Sequence, residues 1–127
     1  MSSHQPPGDK PPIDAYFRFL NISQTIRQEG ALAGVDAVDQ RLLEFVGASE
    51  HRGERLSVTG AMAFKAAGSP ATVYRRLQRL RERGWIEVCP CQDDPRAKLV
   101  TLSASAHDYF AQLAAALRLA DQNGAPD

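Results

Sequence analysis

The chain has 127 residues, of which 43% are hydrophobic and 24% charged, enough apolar material for one packed domain without a metal or disulfide framework. No apolar run reaches the roughly 18–20 residues of a membrane helix, and residues 1–12, with four prolines, lack the regions of a signal peptide. The two cysteines, Cys89 and Cys91, are too few and too close for a disulfide scaffold. We therefore expect a cytoplasmic protein whose residues 1–12 form a disordered tail.

The net charge of zero hides an uneven distribution along the chain. Residues 51–98 contain ten Lys/Arg and five Asp/Glu, and the rest of the chain has the opposite balance. A basic segment between acidic ends is typical of a nucleic-acid-facing surface, although a solvated helix face gives the same pattern.

Two helices are predicted before the basic segment. Apolar residues at helical spacing predict the first from Ile13 to Glu29, stopping near Gly30, with a loop at residues 31–35. Asp36 can cap a second helix, which should end at Gly47 and the polar residues 49–55. Its expected buried stripe is Val38, Leu42, Phe45 and Val46.

The basic segment begins with a short extended piece and two more helices. Residues 56–58 are expected to form a very short strand, after which Ser57 or Thr59 caps a third helix running to about Ala67. After the break at Gly68, Ser69 and Pro70 are a strong start for a fourth helix over residues 70–83. Gly84 is expected at its C′ position.

A hairpin and a last helix complete the pattern. Residues 85–89 alternate between apolar and polar, and residues 99–102 are mainly apolar, so both segments are predicted as strands. The polar residues 90–98 form the turn between them. Ser103 is expected to cap the last helix, and residues 123–127 to fray. One face of this helix should hold Ala106, Tyr109 or Phe110, Leu113, Leu117 and Ala120.

The predicted order is therefore α-α-α-α-β-β-α, a mainly helical chain with one small β-hairpin. Two helices joined by a tight break and followed by a hairpin are the winged helix-turn-helix arrangement. We expect a single domain over residues 13–122.

The fourth helix carries the candidate function. Val73, Leu77 and Leu80 share one face, and Ala71, Thr72, Arg75 and Arg79 lie opposite, with Ser69 at the helix start. Residues 70–83 contain five arginines and one glutamate. Guanidinium groups can fork onto guanine or phosphate, so this face predicts contact with double-stranded DNA. A plain solvated amphipathic helix is the alternative.

The stretch from Ser69 to Glu87, followed by Asp94-Pro-Arg-Ala-Lys-Leu-Val-Thr-Leu-Ser103, resembles the MarR family of bacterial transcription regulators. The resemblance covers roughly residues 56–103. The resemblance implies that the hairpin is the wing of the fold, that Arg96 enters the minor groove from its turn, and that Asp94 holds the Arg96 side chain. It also places Ser69, Thr72 and Arg75 at recognition-helix contact positions. The alternative for Asp94 and Arg96 is a surface pair that only stabilises the turn. The full candidate set for DNA contact is Ser69, Ala71, Thr72, Arg75, Arg76, Arg79, Asp94, Arg96 and Lys98.

The chain departs from the MarR pattern after Leu102, where 25 residues leave room for one helix. Family members usually continue through a longer helical region that shapes an effector pocket, so this chain does not predict a small-molecule effector site of that kind. The apolar stripes of the helices at residues 13–30 and 103–121 still predict a homodimer. A two-fold dimer would match a palindromic site.

We thus expect a sequence-specific, DNA-binding transcriptional regulator of MarR type. A winged-helix module that binds protein, or an architectural or replication-associated DNA-binding protein of a mobile element, is the alternative. His4, His51 and His107 have no metal-ligand spacing, and no nucleophile or phosphate-loop motif stands out. We therefore expect no enzyme activity, cofactor or metal, and interpret Cys89 and Cys91 as two unlinked cysteines.

Overall fold

The structure is a computed structural model that describes residues 12–29 and 35–124. Residues 1–11 of the expected tail, most of the expected loop at 31–35 and the last three residues lie outside the described residues. The described elements are α1 (Pro12–Glu29), α2 (Ala37–His51), α3 (Val58–Met62), α4 (Pro70–Glu82), β1 (Ile86–Pro90), β2 (Lys98–Leu102) and α5 (Ala104–Gly124). This order confirms the predicted mainly helical fold with one antiparallel hairpin.

The chain divides into two compact units, the first of which pairs α1 with the part of α5 from Tyr109 onward. Within it, Arg18 Nε donates to the carbonyl oxygen of Ala120 at 3.1 Å, and Arg27 Nε donates to the Tyr109 hydroxyl at 3.3 Å. Small residues are buried on both helices, Ser23 on α1 and Ala120 on α5. Side-chain donors on α1 therefore help to hold α5 at two places along its length.

The second unit, residues 35–108, contains the helix-turn-helix and the hairpin. Its core is formed by α2, α4 and the inner face of the hairpin. The most buried members are Leu42, Leu43, Val46, Val73, Leu77, Leu80, Trp85, Ile86 and Val100. Each fully buried aliphatic side chain of this kind stabilises the fold by about 1.5–3 kcal/mol relative to an exposed one.

Short polar side chains start the helices of the second unit as predicted. In each case the side-chain oxygen accepts from the backbone N–H three residues later, which satisfies one of the free donors of a helix start. The pairs are Asp36 with Asp39 at 2.7 Å, Ser57 with Gly60 at 2.9 Å, Ser69 with Thr72 at 3.3 Å and Ser103 with Ala106 at 3.1 Å.

Helix α2 does not end at Gly47 but continues to His51, within the polar residues 49–55 that were also expected to end it. Leu43 and Val46 are buried before Gly47 and Ser49 is buried after it, and this packing outweighs the low helix propensity of glycine. Gly53, two residues after the helix, closes this end: it has φ 76°, and its N–H donates to the Glu50 carbonyl at 2.9 Å. This is the left-handed closing residue that a helix C-terminus favours.

The third helix is shorter than expected and ends at Met62 instead of near Ala67. The Phe64 ring stacks on the Phe45 ring of α2, with centroids 4.4 Å apart and planes at 17°. Phe64 adopts extended dihedrals to reach this position, so the helix cannot continue through it. A single 3₁₀ turn, Lys65–Ala67, then leads to Gly68.

The expected strand at residues 56–58 is reduced to one bridge, Ser57 with Leu99, because Ser57 already caps α3. Beside it, Val100 N–H donates to the Leu56 carbonyl at 2.8 Å. The first hairpin strand starts one residue later than predicted, at Ile86. Trp85 N–H closes the end of α4 by donating to the Leu80 carbonyl at 2.9 Å.

The buried face of α5 differs from the prediction at one position. Ala106, Tyr109 and Ala120 are buried as expected, but Leu117 is 57% exposed. Ala116 takes its place on the buried face. The helix also extends through Asn123 to Gly124, where fraying was expected.

We expect Gly68→Ala to destabilise the second unit. Gly68 has φ 121°, and an added Cβ would lie 2.9 Å from Thr72 Cγ2 in the first turn of α4. Such a backbone conformation costs a non-glycine residue about 1–3 kcal/mol, and the clash adds to it. Chemical denaturation would compare Gly68→Ala with Gly53→Ala, whose φ of 76° lies in the milder left-handed helical region and whose added Cβ meets no atom within 4 Å. Gly68→Ala should lose more stability than Gly53→Ala, and equal losses in both variants would contradict this expectation.

Candidate nucleic-acid interface

The first two turns of α4 carry a connected set of polar side chains on the outside. The Ser69 hydroxyl lies 3.0 Å from Thr72 Oγ1, and Arg75 Nη2 donates to the same oxygen at 3.4 Å. Ser69, Ala71 and Arg75 are exposed and Thr72 is half-buried. The structure therefore brings four of the predicted contact residues together at the N-terminal half of one helix.

Two further predicted residues, Arg76 and Arg79, turn toward α2 instead. Arg76 Nη1 donates to Asp39 Oδ1 at 2.8 Å, and Arg79 Nε donates to Asp39 Oδ2 at 2.8 Å. Arg76 Nη1 also lies 3.2 Å from Asp36 Oδ2. The helical wheel placed Arg79 on the outer face, but its side chain is long enough to bend back to the buried carboxylate.

The electrostatics of this cluster follow from the same contacts. The pKa of the Asp36 carboxyl lies below its usual value, because the Asp39 backbone N–H donates to it and the Arg76 guanidinium lies beside it. The pKa of Arg76 is raised, chiefly by its hydrogen bond to Asp39. Each contact favours the charged form of its partner.

At the turn of the hairpin, Asp94 organises the backbone. Asp94 Oδ1 accepts from the Arg96 backbone N–H at 3.0 Å, and the Asp94 carbonyl accepts from Ala97 N–H at 3.0 Å. The MarR resemblance implied support of Arg96 by Asp94, and the hydrogen bond goes to its main chain. The side chains of Arg96 and Lys98 are exposed, and neither forms an ion pair with a described residue.

A second contact supports the same turn and was not predicted from the sequence. Arg55 Nη1 donates to Asp93 Oδ2 at 3.0 Å and lies 3.9 Å from Cys91 Sγ. The Asp93 carboxylate raises the pKa of Arg55. The partners are 38 residues apart, so no local pattern could have paired them. Cys89 and Cys91 are free thiols.

An open groove of about 560 Å³ separates α3 from the hairpin. Its lining includes Thr59, Met62, Tyr74, Arg96 and Lys98. Tyr74 is 43% exposed, and its hydroxyl accepts from Gln78 Nε2 at 2.7 Å. The two cations of the hairpin thus lie along the same groove as a hydroxyl from α3, a combination suited to a phosphate backbone.

These elements define a winged helix-turn-helix, and solved structures of transcriptional regulators share the fold. MepR of S. aureus bound to ethidium bromide superposes with a TM-score of 0.66 at 14% identity, over 85% of this chain and 73% of that one. A MepR–DNA complex gives 0.60 at 17% identity, over 85% and 86%. Sco3205, a MarR family regulator from Streptomyces coelicolor in complex with DNA, gives 0.54 at 21% identity, over 88% and 70%.

No protein-family model and no curated protein matches the chain. The likeness to these solved structures therefore shows the fold, which is the one that the MarR resemblance implied. Of the helices that the structure describes, none has the length and apolar character of a membrane span.

Proposed function

We propose that the protein is a transcriptional regulator that binds double-stranded DNA with sequence preference. The observation that carries the proposal is the exposed Ser69–Thr72–Arg75 network on α4, next in the chain to a hairpin that presents Arg96 and Lys98. A helix of this kind enters the major groove with its N-terminal residues against the base edges, and a wing contacts the adjoining groove or backbone. Arg75, Arg96 and Lys98, which form no ion pair with a described residue, are the cations of this proposed DNA-facing surface.

The side chains of the α4 face divide by chemistry. Arg75 can fork onto guanine O6 and N7, and the Ala71 methyl suits contact with a thymine methyl. The Ser69 and Thr72 hydroxyls can bond a base or a phosphate oxygen. Because the hydrogen bond from Arg75 to Thr72 restricts the guanidinium before DNA arrives, less side-chain freedom is lost on binding.

On the hairpin, the roles follow from groove shape. Arg96 is proposed to enter the minor groove, where a narrow A·T-rich segment attracts arginine. Asp94 sets the turn through the Arg96 backbone N–H. Lys98 is proposed to contact phosphate, since an ammonium group acts as a point charge without base selectivity.

We further propose that a second copy of the chain covers the two-helix unit. Five of the six large apolar side chains most exposed among the described residues lie on α1 and the end of α5. They are Ile13, Tyr16, Phe17, Leu117 and Leu119. A two-fold dimer formed through this surface would present two copies of α4 to the DNA, which fits the proposal of a palindromic site.

Salt dependence tests the DNA proposal directly. We expect duplex binding whose log affinity falls with log salt at about −0.9 per phosphate contacted. Lys98→Ala should reduce this slope by about one for every duplex sequence. Arg41→Ala removes an exposed cation from α2, outside the proposed surface, and should leave the slope unchanged. Absence of binding at low salt would overturn the proposal and favour a protein partner for the same surface.

A further inference from the structure

The cluster formed by Asp36, Asp39, Arg76 and Arg79 holds the only strongly buried charge among the described residues that faces α4. The Asp39 side chain is 1% exposed, and each of its oxygens serves a different arginine. Arg79 meets Oδ2 with both Nε and Nη2, each at 2.8 Å. An acidic residue in a first helical turn is usually solvated, so full burial against two guanidinium groups needs an explanation beyond helix capping.

The charges in the cluster cancel. Two carboxylates face two guanidinium groups, and the Arg76 side chain is only 22% exposed while that of Arg79 is 43% exposed. A phosphate that attracted either arginine would leave Asp39 buried with one partner fewer. Truncating or withdrawing one partner of a buried ion pair is strongly unfavourable. Arg76 and Arg79 are thus much less available to DNA than Arg75 or Arg81, which are exposed on the same helix.

We propose that Asp39 is a specificity-determining and positioning residue, which withdraws Arg76 and Arg79 from the DNA backbone and ties α4 to the start of α2. This inference rests on the proposed DNA-binding function. It separates Arg75, which contacts DNA, from the pair Arg76 and Arg79, which fixes how the helix is presented. Without Asp39 the helix would carry extra mobile cations that bind any duplex equally, since phosphate contact has no sequence information.

The first test removes an arginine. Arg79→Gln should leave the salt slope of duplex binding unchanged, because Arg79 contacts Asp39 and no phosphate. If Arg79 contacts phosphate in the complex, the slope should fall by about 0.9. Lys98→Ala, with its expected loss of about one, is the positive control on the same duplex. A Lys98-sized change in Arg79→Gln would overturn the inference.

The second test removes the acid. Asp39→Asn keeps the shape but cannot accept from two guanidinium groups with both terminal atoms. We expect binding to random-sequence duplex to tighten about threefold or more at low salt and the salt slope to steepen by about one to two. The ratio of the affinity for the preferred duplex to the affinity for a random-sequence duplex should fall about fivefold or more. Both duplexes gain phosphate contacts, but only binding to the preferred duplex depends on the position of α4.

Glu82→Gln is the matched control, because it removes one negative charge from the exposed side of α4 without releasing an arginine. It should change affinity for both duplexes equally and leave the ratio intact. If circular dichroism shows that Asp39→Asn unfolds, the salt slope of duplex binding by Arg79→Gln tests the inference by itself. A parent chain that binds no duplex overturns the proposed function and this inference together. If the parent chain binds duplex and Asp39→Asn behaves like Glu82→Gln, this inference is overturned and the proposed function stands.

Discussion

Phe17→Glu combined with Leu117→Glu should convert a dimer into monomers and weaken binding to a palindrome by about 10²-fold or more, through loss of the second tethered site. Both side chains are more than half exposed on the two-helix unit, at 54% and 57%. Burying either carboxylate in an apolar interface would cost far more than the interface gains. The half-buried Leu113, a natural choice from the sequence pattern, is a poorer target because its loss would also disturb the unit itself.

The control for this pair is Ala48→Glu with Ala66→Glu. It adds the same two charges at exposed positions of the second unit, outside the two-helix unit, and should remain dimeric. Light scattering would give the mass of each variant, and circular dichroism would show that the helices persist. A parent chain that is monomeric at micromolar concentration would contradict the proposed homodimer, whatever the variants do.

The second large effect is expected at Arg75, the proposed base contact. Arg75→Ala should weaken binding to the preferred site by about 1–3 kcal/mol and relax base preference at one position. Arg96→Ala should act mainly where flanking sequence is A·T-rich, because groove width is what that side chain would detect. Neither change should unfold the chain, since exposed charges usually alter stability by no more than about 0.5 kcal/mol.

Selection from random DNA measures this difference. The parent motif should lose information at one position in Arg75→Ala and keep it at every position in Arg81→Ala, which removes an exposed arginine from the last turn of the same helix. An Arg75→Ala protein that selects the unchanged motif would show that another side chain makes the base contact.

Features fixed by neighbouring residues were predictable from the sequence. A capping hydroxyl followed by proline marks the start of α4 at Ser69, and Gly84, with φ 81°, closes its end. Both depend on backbone groups within four or five positions, where hydrogen-bonding rules act locally. The order of elements, and hence the winged helix, followed from these boundaries and from apolar periodicity.

Features fixed by distant partners were not predictable. The early end of α3 depends on Phe64 meeting Phe45 across the fold, and the orientation of Arg79 depends on Asp39, 40 residues away. Helical periodicity predicts the direction in which the α4 backbone presents each Cβ atom, but a long side chain can bend from there toward a buried charge. The sequence pattern therefore predicted the position of α4 and overstated how many of its arginines point outward.

The short bridge between Ser57 and Leu99 also bears on the tendency of the hairpin to pair with strands of other molecules. A two-stranded hairpin has two free borders that could recruit a strand from another molecule and begin aggregation. The segment before α3 occupies part of the β2 border, where Val100 N–H already donates to the Leu56 carbonyl at 2.8 Å. On the β1 border, Pro90 has no N–H to offer, and the exposed Glu87 adds charge. A hairpin with both borders blocked in this way can present Arg96 and Lys98 to a ligand while remaining a poor template for fibril growth.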